Sequence, residues 1–222
     1  MEEIVSLLGV SDYWYSRIDF RFDSYTAEYR EVEKINRLLV YLFYCLHPAG
    51  ENLYNSVHGL TGQKIDACFR GSTLQVESYD KAREEPSNMI LSRLEIRETK
   101  LLERSKVDID SAIRGIQRRL DACLGVYDNG LAMQSKALQS AFLAEKALYN
   151  SPADFVQKNL SRIYTPQQMD EVFALLGVQN PAQARYNLIK RHPDLNIEFI
   201  SKKAIELYIL ELKEKMSLFS QK

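Results

Sequence analysis

Three segments of the sequence alternate charged and apolar residues, which is the pattern of β-strands with one solvated face. Each carries an acidic residue in its charged set: Asp19 in residues 14–23, Glu77 in residues 74–81 and Glu95 in residues 89–99. Successive side chains of a strand point to opposite faces, so each charged set lies on one face of its own strand. If the strands are neighbours, the three carboxylates converge, and carboxylate oxygens are the ligands that Mg²⁺ or Mn²⁺ prefers.

Arginine residues accompany these acids. Arg17 and Arg21 lie in the first segment, and Arg93 and Arg97 lie in the third. Guanidinium groups bind phosphate oxygens through paired hydrogen bonds, so these four are candidate phosphate-contacting residues. The same alternation is also typical of cross-strand ion pairs that keep an exposed sheet solvated. The residues alone leave both interpretations open.

The order of three motifs adds a family resemblance. SRIDFRFD (16–23), SYDKAREE (78–85) and SRLEIRETK (92–100) follow one another along the chain. In this order they resemble the replication initiators of Gram-positive plasmids and integrative elements, often called the Rep_trans family, and more remotely the gene II initiators of filamentous phages. The resemblance covers roughly residues 14–100. It implies a degenerate fold of the HUH or Rep type and rolling-circle DNA replication.

The resemblance also implies a chemistry. In such initiators a tyrosine attacks a DNA phosphodiester while carboxylates hold a divalent metal ion, here Mg²⁺ or Mn²⁺. Carried over residue by residue, the catalytic candidates are Tyr79 and Lys81, with Glu84 or Glu85 as the trailing acid of that motif. The implied metal ligands are Asp19, Glu77 and Glu95, and the implied DNA-binding residues are Arg17, Arg21, Arg93 and Arg97.

One residue departs from the family pattern. The initiators carry a tyrosine shortly before a Gly-Ser turn, and here Phe69 stands at that place before Gly71-Ser72. Phenylalanine has no oxygen with which to attack, so another tyrosine serves or the protein binds DNA without cutting it. The substitutes are Tyr79, Tyr54 with His58 nearby, and Tyr127, and for each of them a packing role is the alternative.

Periodicity predicts the elements that position these residues. We expect an α+β fold in which residues 14–100 form an antiparallel sheet, with a helix over 26–46 packed on its apolar face. A helical C-terminal region follows. The predicted divisions are a sheet domain (1–105), a helical connection packed on the sheet (106–150) and a C-terminal helical domain (151–222). The residues expected to bury the 26–46 helix are Ile35, Leu38, Leu39 and Leu42.

The C-terminal helices carry a second motif. Thr165-Pro166 and Asn180-Pro181 mark helix starts, since proline is favoured in the first turn of a helix. The intervening stretch resembles the first helix and turn of a helix-turn-helix unit, with Lys190, Arg191 and His192 at the end of the next helix. The alternative is a helical cap that covers the sheet or mediates a homodimer.

Composition limits the class of protein. The 222 residues carry a formal net charge of -1, which argues against a large DNA-coating surface and leaves room for a local basic groove. The three cysteines are scattered and predict unpaired thiols. The absence of a long apolar run and of a secretory leader predicts a cytoplasmic protein without a membrane partner.

Three functions remain open on sequence grounds. The first is an initiator that nicks and joins single-stranded DNA or an origin hairpin, an endonuclease of a plasmid or other mobile genetic element. The second is a catalytically inactive derivative that regulates by binding DNA. The third is a mobile-element protein that binds and inhibits a host protein.

Overall fold

The structure of the chain is a computed structural model that describes residues 17–25, 29–46, 52–58, 64–71, 74–80, 91–99, 109–193 and 197–218. The strands are β1 (Arg17–Tyr25), β2 (Asn52–His58), β3 (Lys64–Arg70), β4 (Leu74–Asp80) and β5 (Leu91–Thr99). The helices are α1 (Tyr29–Leu46), α2 (Ile109–Gly125), α3 (Tyr127–Ala144), α4 (Pro152–Lys158), α5 (Pro166–Leu175), α6 (Pro181–Arg191) and α7 (Lys202–Ser217). None of the helices in these ranges has the length and apolar character that a bilayer-spanning segment needs.

The five strands form one antiparallel sheet in the order β1-β5-β4-β3-β2. Consecutive strands from β2 to β5 pair as neighbours, and β1 closes the row by pairing with β5. The three strands that carry the charged motifs, β1, β5 and β4, are therefore adjacent. The prediction of an α+β fold with an antiparallel sheet, a packed helix and a helical C-terminal region is confirmed.

Helix α1 covers one face of the sheet. The four residues that were expected to bury it are all in the core, and Leu38, Leu39 and Leu42 are fully buried. They meet the apolar face of the sheet, to which Phe22 of β1 and Ile96 of β5 contribute. The change from a period of two to a period of 3.6 after β1 thus predicted both the helix and its buried side.

The C-terminal helix α7 packs into this same core. Ile205, Ile209 and Leu212 join the cluster around α1, and a buried polar contact fixes the helix. The hydroxyl of Tyr208 donates to Asn36 Oδ1 at 2.8 Å, and the Asn36 amide donates to Ser92 on β5. The predicted division assigns residues 151–222 to a C-terminal helical domain, and within it α7 buries its apolar side in the core of the sheet domain, as a helical cap on the sheet would.

A second apolar cluster lies among the other C-terminal helices. It joins the C-terminal half of α3, through Leu138 and Phe142, to α4, α5 and α6. Side chains of Ser151, Thr165 and Asn180 cap α4, α5 and α6, and a proline follows each cap, as predicted. The boundary between the two clusters falls inside α3, so α3 contributes to both.

Helix α3 begins earlier than the sequence predicted. The stretch GVYDNG was expected to interrupt the helix until Leu131, but α3 starts at Tyr127 and includes Gly130. A Cβ atom at Gly130 would lie 2.9 Å from Leu42 Cδ2 and 3.5 Å from Cys45 Sγ. Glycine is needed here for the close approach of α3 to α1, rather than for a turn.

Lys34 of α1 is half-buried beside Glu198 and Phe199, which precede α7. Its ammonium group donates to the carbonyl oxygen of Glu198 at 2.5 Å and lies 5.8 Å from the centre of the Phe199 ring. Burial lowers the pKa of Lys34 to about 8, although the nearby acids Glu198 and Glu33 oppose the shift. Folding therefore works against the charged form of this lysine.

Raising the pH should stabilise the protein through Lys34. Between about pH 8 and the unfolded pKa near 10.4, the unfolded chain binds the proton more tightly, so the free energy of unfolding rises with pH. We expect a gain of about 1 to 3 kcal/mol from pH 7.5 to 10 relative to the Lys34→Met variant. Urea denaturation followed by circular dichroism at several pH values measures it. The buried tyrosines are common to both proteins and cancel in the comparison. Parallel pH profiles for the two proteins would contradict the assignment.

Candidate polar face of the sheet

The register of the strands places the charged motifs in cross-strand rows on the sheet face opposite α1, here called the polar face. One row pairs Asp23, Arg93 and Tyr79, and a second pairs Arg21, Glu95 and Glu77. The third pairs Asp19, Arg97 and Gln75. As predicted, Asp19 and Glu95 lie on adjacent strands with their side chains on the same face. Directly opposite residues in a sheet are close enough for side-chain contact, so this register builds one continuous network.

Arg97 lies at the centre of the network. Its Nη1 atom is 3.0 Å from Glu77 Oε2, its Nη2 atom is 2.8 Å from Glu95 Oε2, and its Nε atom is 3.8 Å from Asp19 Oδ2. The two glutamates are only 3% and 1% exposed. A buried carboxylate is costly unless it is paired and hydrogen-bonded, and one guanidinium here meets that requirement for both.

These contacts decide how the three carboxylates fit a metal ion. A divalent cation shared by Asp19, Glu77 and Glu95 would need the position between their oxygens, and the guanidinium of Arg97 occupies it. Among the described residues, no group of three or more His, Cys, Asp or Glu side chains is arranged to hold an ion. The residues therefore do not fit Mg²⁺ or Mn²⁺, and the arrangement matches the alternative of cross-strand ion pairs.

Glu95 has three partners on the polar face. Besides Arg97, it accepts hydrogen bonds from Arg21 Nε at 2.9 Å and from the Tyr79 hydroxyl at 3.1 Å. Burial raises the pKa of Glu95, but the hydrogen bonds from Arg97 and Arg21 outweigh it, so the pKa lies below its usual value. The carboxylate is thus ionised at neutral pH and can accept the proton of the Tyr79 hydroxyl.

Arg93 connects Tyr79 to the edge strand. Its guanidinium makes two hydrogen bonds to Asp23, at 2.5 and 2.7 Å, and its Nη1 atom lies 3.4 Å from the Tyr79 oxygen. The hydrogen bond to Asp23 raises the pKa of Arg93, so its charge is fixed. Tyr79, which is 6% exposed, therefore has a carboxylate that accepts from its hydroxyl and a cation 3.4 Å from its oxygen.

The four predicted DNA-contacting arginines divide into two kinds. Arg17 and Arg21 are each 56% exposed at their side chains, whereas Arg93 and Arg97 are 14% and 21% exposed and are engaged in ion pairs. Only the first two present much of their guanidinium to solvent. Arg70 of β3, which sequence reasoning missed, adds a third exposed guanidinium at 45%, 3.8 Å from Glu77.

Phe69 lies on the other face of the sheet. It is opposite Val76, fully buried, and its ring contacts Tyr44 of α1 edge-on at 6.4 Å. A tyrosine at this position would enter the apolar core rather than the polar face. The polar-face neighbour on β3 is Cys68, whose thiol lies 3.5 Å from Glu77 Oε1 and whose pKa burial raises to about 12.

Of the remaining sequence candidates, Tyr127 lies apart from this network. Tyr127 is buried in the apolar core that α1 forms with the sheet, and the Lys202 ammonium group lies 5.3 Å from its ring centre. Lys81, Glu84 and Glu85 lie outside the described residues, as do the side chains of Tyr54 and His58. Gln75, which alternates with Glu77 and Tyr79 in the sequence, lies on the polar face as that alternation predicts and donates to Glu77.

Comparison of this chain with models of protein families, with curated proteins and with solved structures finds no match.

Proposed function

We propose that this protein binds single-stranded DNA through the polar face of its sheet and does not cut it, as a non-catalytic derivative of a rolling-circle replication initiator. The observation that carries the proposal is the position of Arg97 among the carboxylates. Arg97 between the two acids, together with Arg21 on Glu95, offsets the charges of Glu77 and Glu95, so these acids repel a phosphate backbone less than unpaired carboxylates would.

The exposed arginines supply the contacts in this proposal. Arg17 uses its Nη2 atom on Asp19, and Arg21 uses its Nε atom on Glu95 and has Nη2 3.7 Å from Asp19, while each of the two side chains stays 56% exposed. Five arginines and four acids give the described polar face a net charge of +1 (Arg17, Arg21, Arg70, Arg93, Arg97; Asp19, Asp23, Glu77, Glu95). So small an excess predicts weak, salt-sensitive binding, with dissociation constants on the order of 10⁻⁶ to 10⁻⁴ M.

Fluorescence anisotropy with a labelled oligothymidine tests the proposal. We expect the logarithm of the binding constant to fall with the logarithm of salt concentration with a slope of about -1 to -2, since two or three phosphates are contacted. The Arg17→Ala/Arg21→Ala double variant should weaken binding and lower the magnitude of the slope by about 0.7 for each contact removed. The Arg17→Ala single variant keeps Arg21, the partner of Glu95. It therefore tests whether weaker binding by the double variant comes from lost phosphate contacts or from lost folding.

The matched control removes two cations elsewhere. Lys203→Ala/Lys215→Ala on α7 changes the net charge by the same amount, and these side chains are 73% and 41% exposed. This control should bind oligothymidine as the unmodified protein does. No binding at low salt, or an equal loss in both double variants, would contradict DNA binding by the polar face and favour a protein partner.

A second candidate function, nicking and joining of single-stranded DNA, is favoured by the hydrogen bond from Tyr79 to Glu95. In that reaction Glu95 would accept the phenolic proton while the tyrosine oxygen bonds to phosphorus and a DNA oxygen leaves. The same samples decide between the two, incubated with Mg²⁺ or Mn²⁺ and run on a denaturing gel. The proposed function predicts no covalent adduct. An adduct that Tyr79→Phe abolishes would establish the second candidate instead.

A further inference from the structure

Helices α5 and α6 form a helix-turn-helix pair of fixed geometry. The turn between them contains Gly177 with φ of 82°, in the left-handed region that glycine adopts without strain. Phe173 of α5 and Leu188 of α6 are buried in the second cluster. Asp170 of α5 and Arg185 of α6 are joined by two hydrogen bonds of 2.8 and 3.2 Å. Apolar packing and this ion pair therefore hold the two helices at one crossing.

Few side chains of helix α6 are buried. Leu188 is its single buried residue, and its outer side is lined by exposed polar and aromatic side chains. Tyr186 is 56% exposed, which is unusual for a large aromatic group, and the Lys190 ammonium group lies 5.8 Å from its ring centre. The exposed residues on this side include Gln183, Tyr186, Lys190 and Arg191.

The charge of α6 is one-sided. The helix contains Arg185, Lys190 and Arg191 and no acidic residue. The neighbouring acids on α5 are already engaged, since Asp170 binds Arg185 and Glu171 lies 2.8 Å from the Ser135 hydroxyl. The exposed side of α6 thus carries a positive charge in a chain whose formal net charge is -1. A polyanion with a groove complements such a surface.

We propose that α6 is a recognition helix for double-stranded DNA, which gives the protein a second DNA-binding surface separate from the polar face of the sheet. A helix of about 10 to 12 Å diameter fits the major groove, which is about 12 Å wide. In a helix-turn-helix pair the N-terminal part of the second helix contacts bases. Gln183 is in that part, and its amide donates to Asn187 Oδ1 at 3.0 Å, so two amide side chains are held together at the surface.

The two ends of α6 have different roles in this inference. Glutamine and asparagine amides match the hydrogen-bonding edge of adenine in the major groove, so Gln183 and Asn187 read bases. Lys190 and Arg191 lie two turns further along and contact phosphates, which position the helix without reading sequence. A single strand offers neither the groove nor the paired edge, which makes the duplex the preferred ligand of this surface.

Anisotropy titrations of the full chain with a labelled duplex of about 20 base pairs, two turns of DNA, test the inference. The probe is a duplex pool of random sequence. We expect Lys190→Ala/Arg191→Ala to weaken duplex binding about tenfold and to lower the salt slope by about 0.9 per lost contact. Gln183→Ala should leave the salt slope unchanged and alter the sequences that the protein enriches from the pool.

Reciprocal controls separate this inference from the proposed function. Lys190→Ala/Arg191→Ala should bind oligothymidine normally, and Arg17→Ala/Arg21→Ala should bind the duplex normally. A duplex affinity and salt slope that do not change in Lys190→Ala/Arg191→Ala would overturn the recognition helix, as would a chain that binds only the single strand. Duplex binding that depends on α6, without single-strand binding, would overturn the proposed function and leave this inference standing.

Discussion

Replacing Arg97 by methionine is expected to lower the free energy of unfolding by about 3 to 5 kcal/mol at neutral pH. Methionine keeps most of the length of the side chain but leaves Glu77 and Glu95 without their shared cation. Both carboxylates are buried, so water cannot replace the lost partner. Removing one member of a buried ion pair costs more than the pair contributes, because an uncompensated charge remains. Urea denaturation followed by circular dichroism measures the loss.

The loss in the free energy of unfolding caused by Arg97→Met should be smaller at acidic pH. In the unmodified protein the pKa of Glu95 lies below its usual value, so its contribution is present above the unfolded pKa near 4.3 and is lost as the pH falls through the folded pKa. In the variant, Arg21 alone opposes the effect of burial on Glu95, so the pKa of Glu95 should rise relative to the unmodified protein. The penalty of the buried Glu95 carboxylate then applies at neutral pH and shrinks once the carboxyl is protonated.

Two further variants test whether the loss of stability in Arg97→Met comes from the buried carboxylates. Arg17→Met removes an exposed arginine that pairs with Asp19, and we expect a loss of less than about 1 kcal/mol. Adding Glu77→Gln and Glu95→Gln to Arg97→Met should restore much of the lost stability, since no buried charge remains. If Arg97→Met costs no more than Arg17→Met, the central role of this guanidinium is wrong.

Replacing Phe173 by alanine is expected to cost about 3 to 5 kcal/mol. Phe173 is fully buried in the second cluster, against the apolar side of α3, and alanine would leave a cavity there. The same denaturation measurement applies. The control is Leu207→Ala on α7, where a 54% exposed leucine should change stability by less than about 0.5 kcal/mol. Equal effects at the two positions would mean that the second cluster is not a packed core.

The sheet could be predicted from sequence because alternation is a local signal. The residues of a single strand are enough to identify its polar and its apolar side. In the same way, the helical spacing of Leu38, Leu39 and Leu42 identifies the buried side of α1. Register is different, since it depends on how the strands align across the sheet. The pairing of Asp19 with Arg97 and of Glu95 with Arg21 decides that arginine, rather than an ion, lies between the acids.

Phe69 shows where motif matching and local pattern disagree. The resemblance assigned it to the place of a nucleophile, whereas its alternation with Ile65 and Ala67 in β3 indicates an apolar face. The structure follows the alternation. Helix α7 shows the opposite difficulty. Its apolar stripe predicts a buried side but not which of two cores will bury it, because that choice depends on contacts distant in sequence, such as Tyr208 with Asn36.

Helix α3 is continuous through both apolar clusters, and this affects how the protein unfolds. Tyr127 and Leu131 belong to the sheet core, while Leu138 and Phe142 belong to the helical cluster, with Ser135 buried between them. The amide protons near Ser135 are hydrogen-bonded within α3, and this helix stays packed if only one of the two clusters is disrupted. They should exchange with solvent only in the rare state in which both cores are disrupted. The continuous helix α3 therefore couples the two parts of the protein, and a hinge motion between them would have to break this helix.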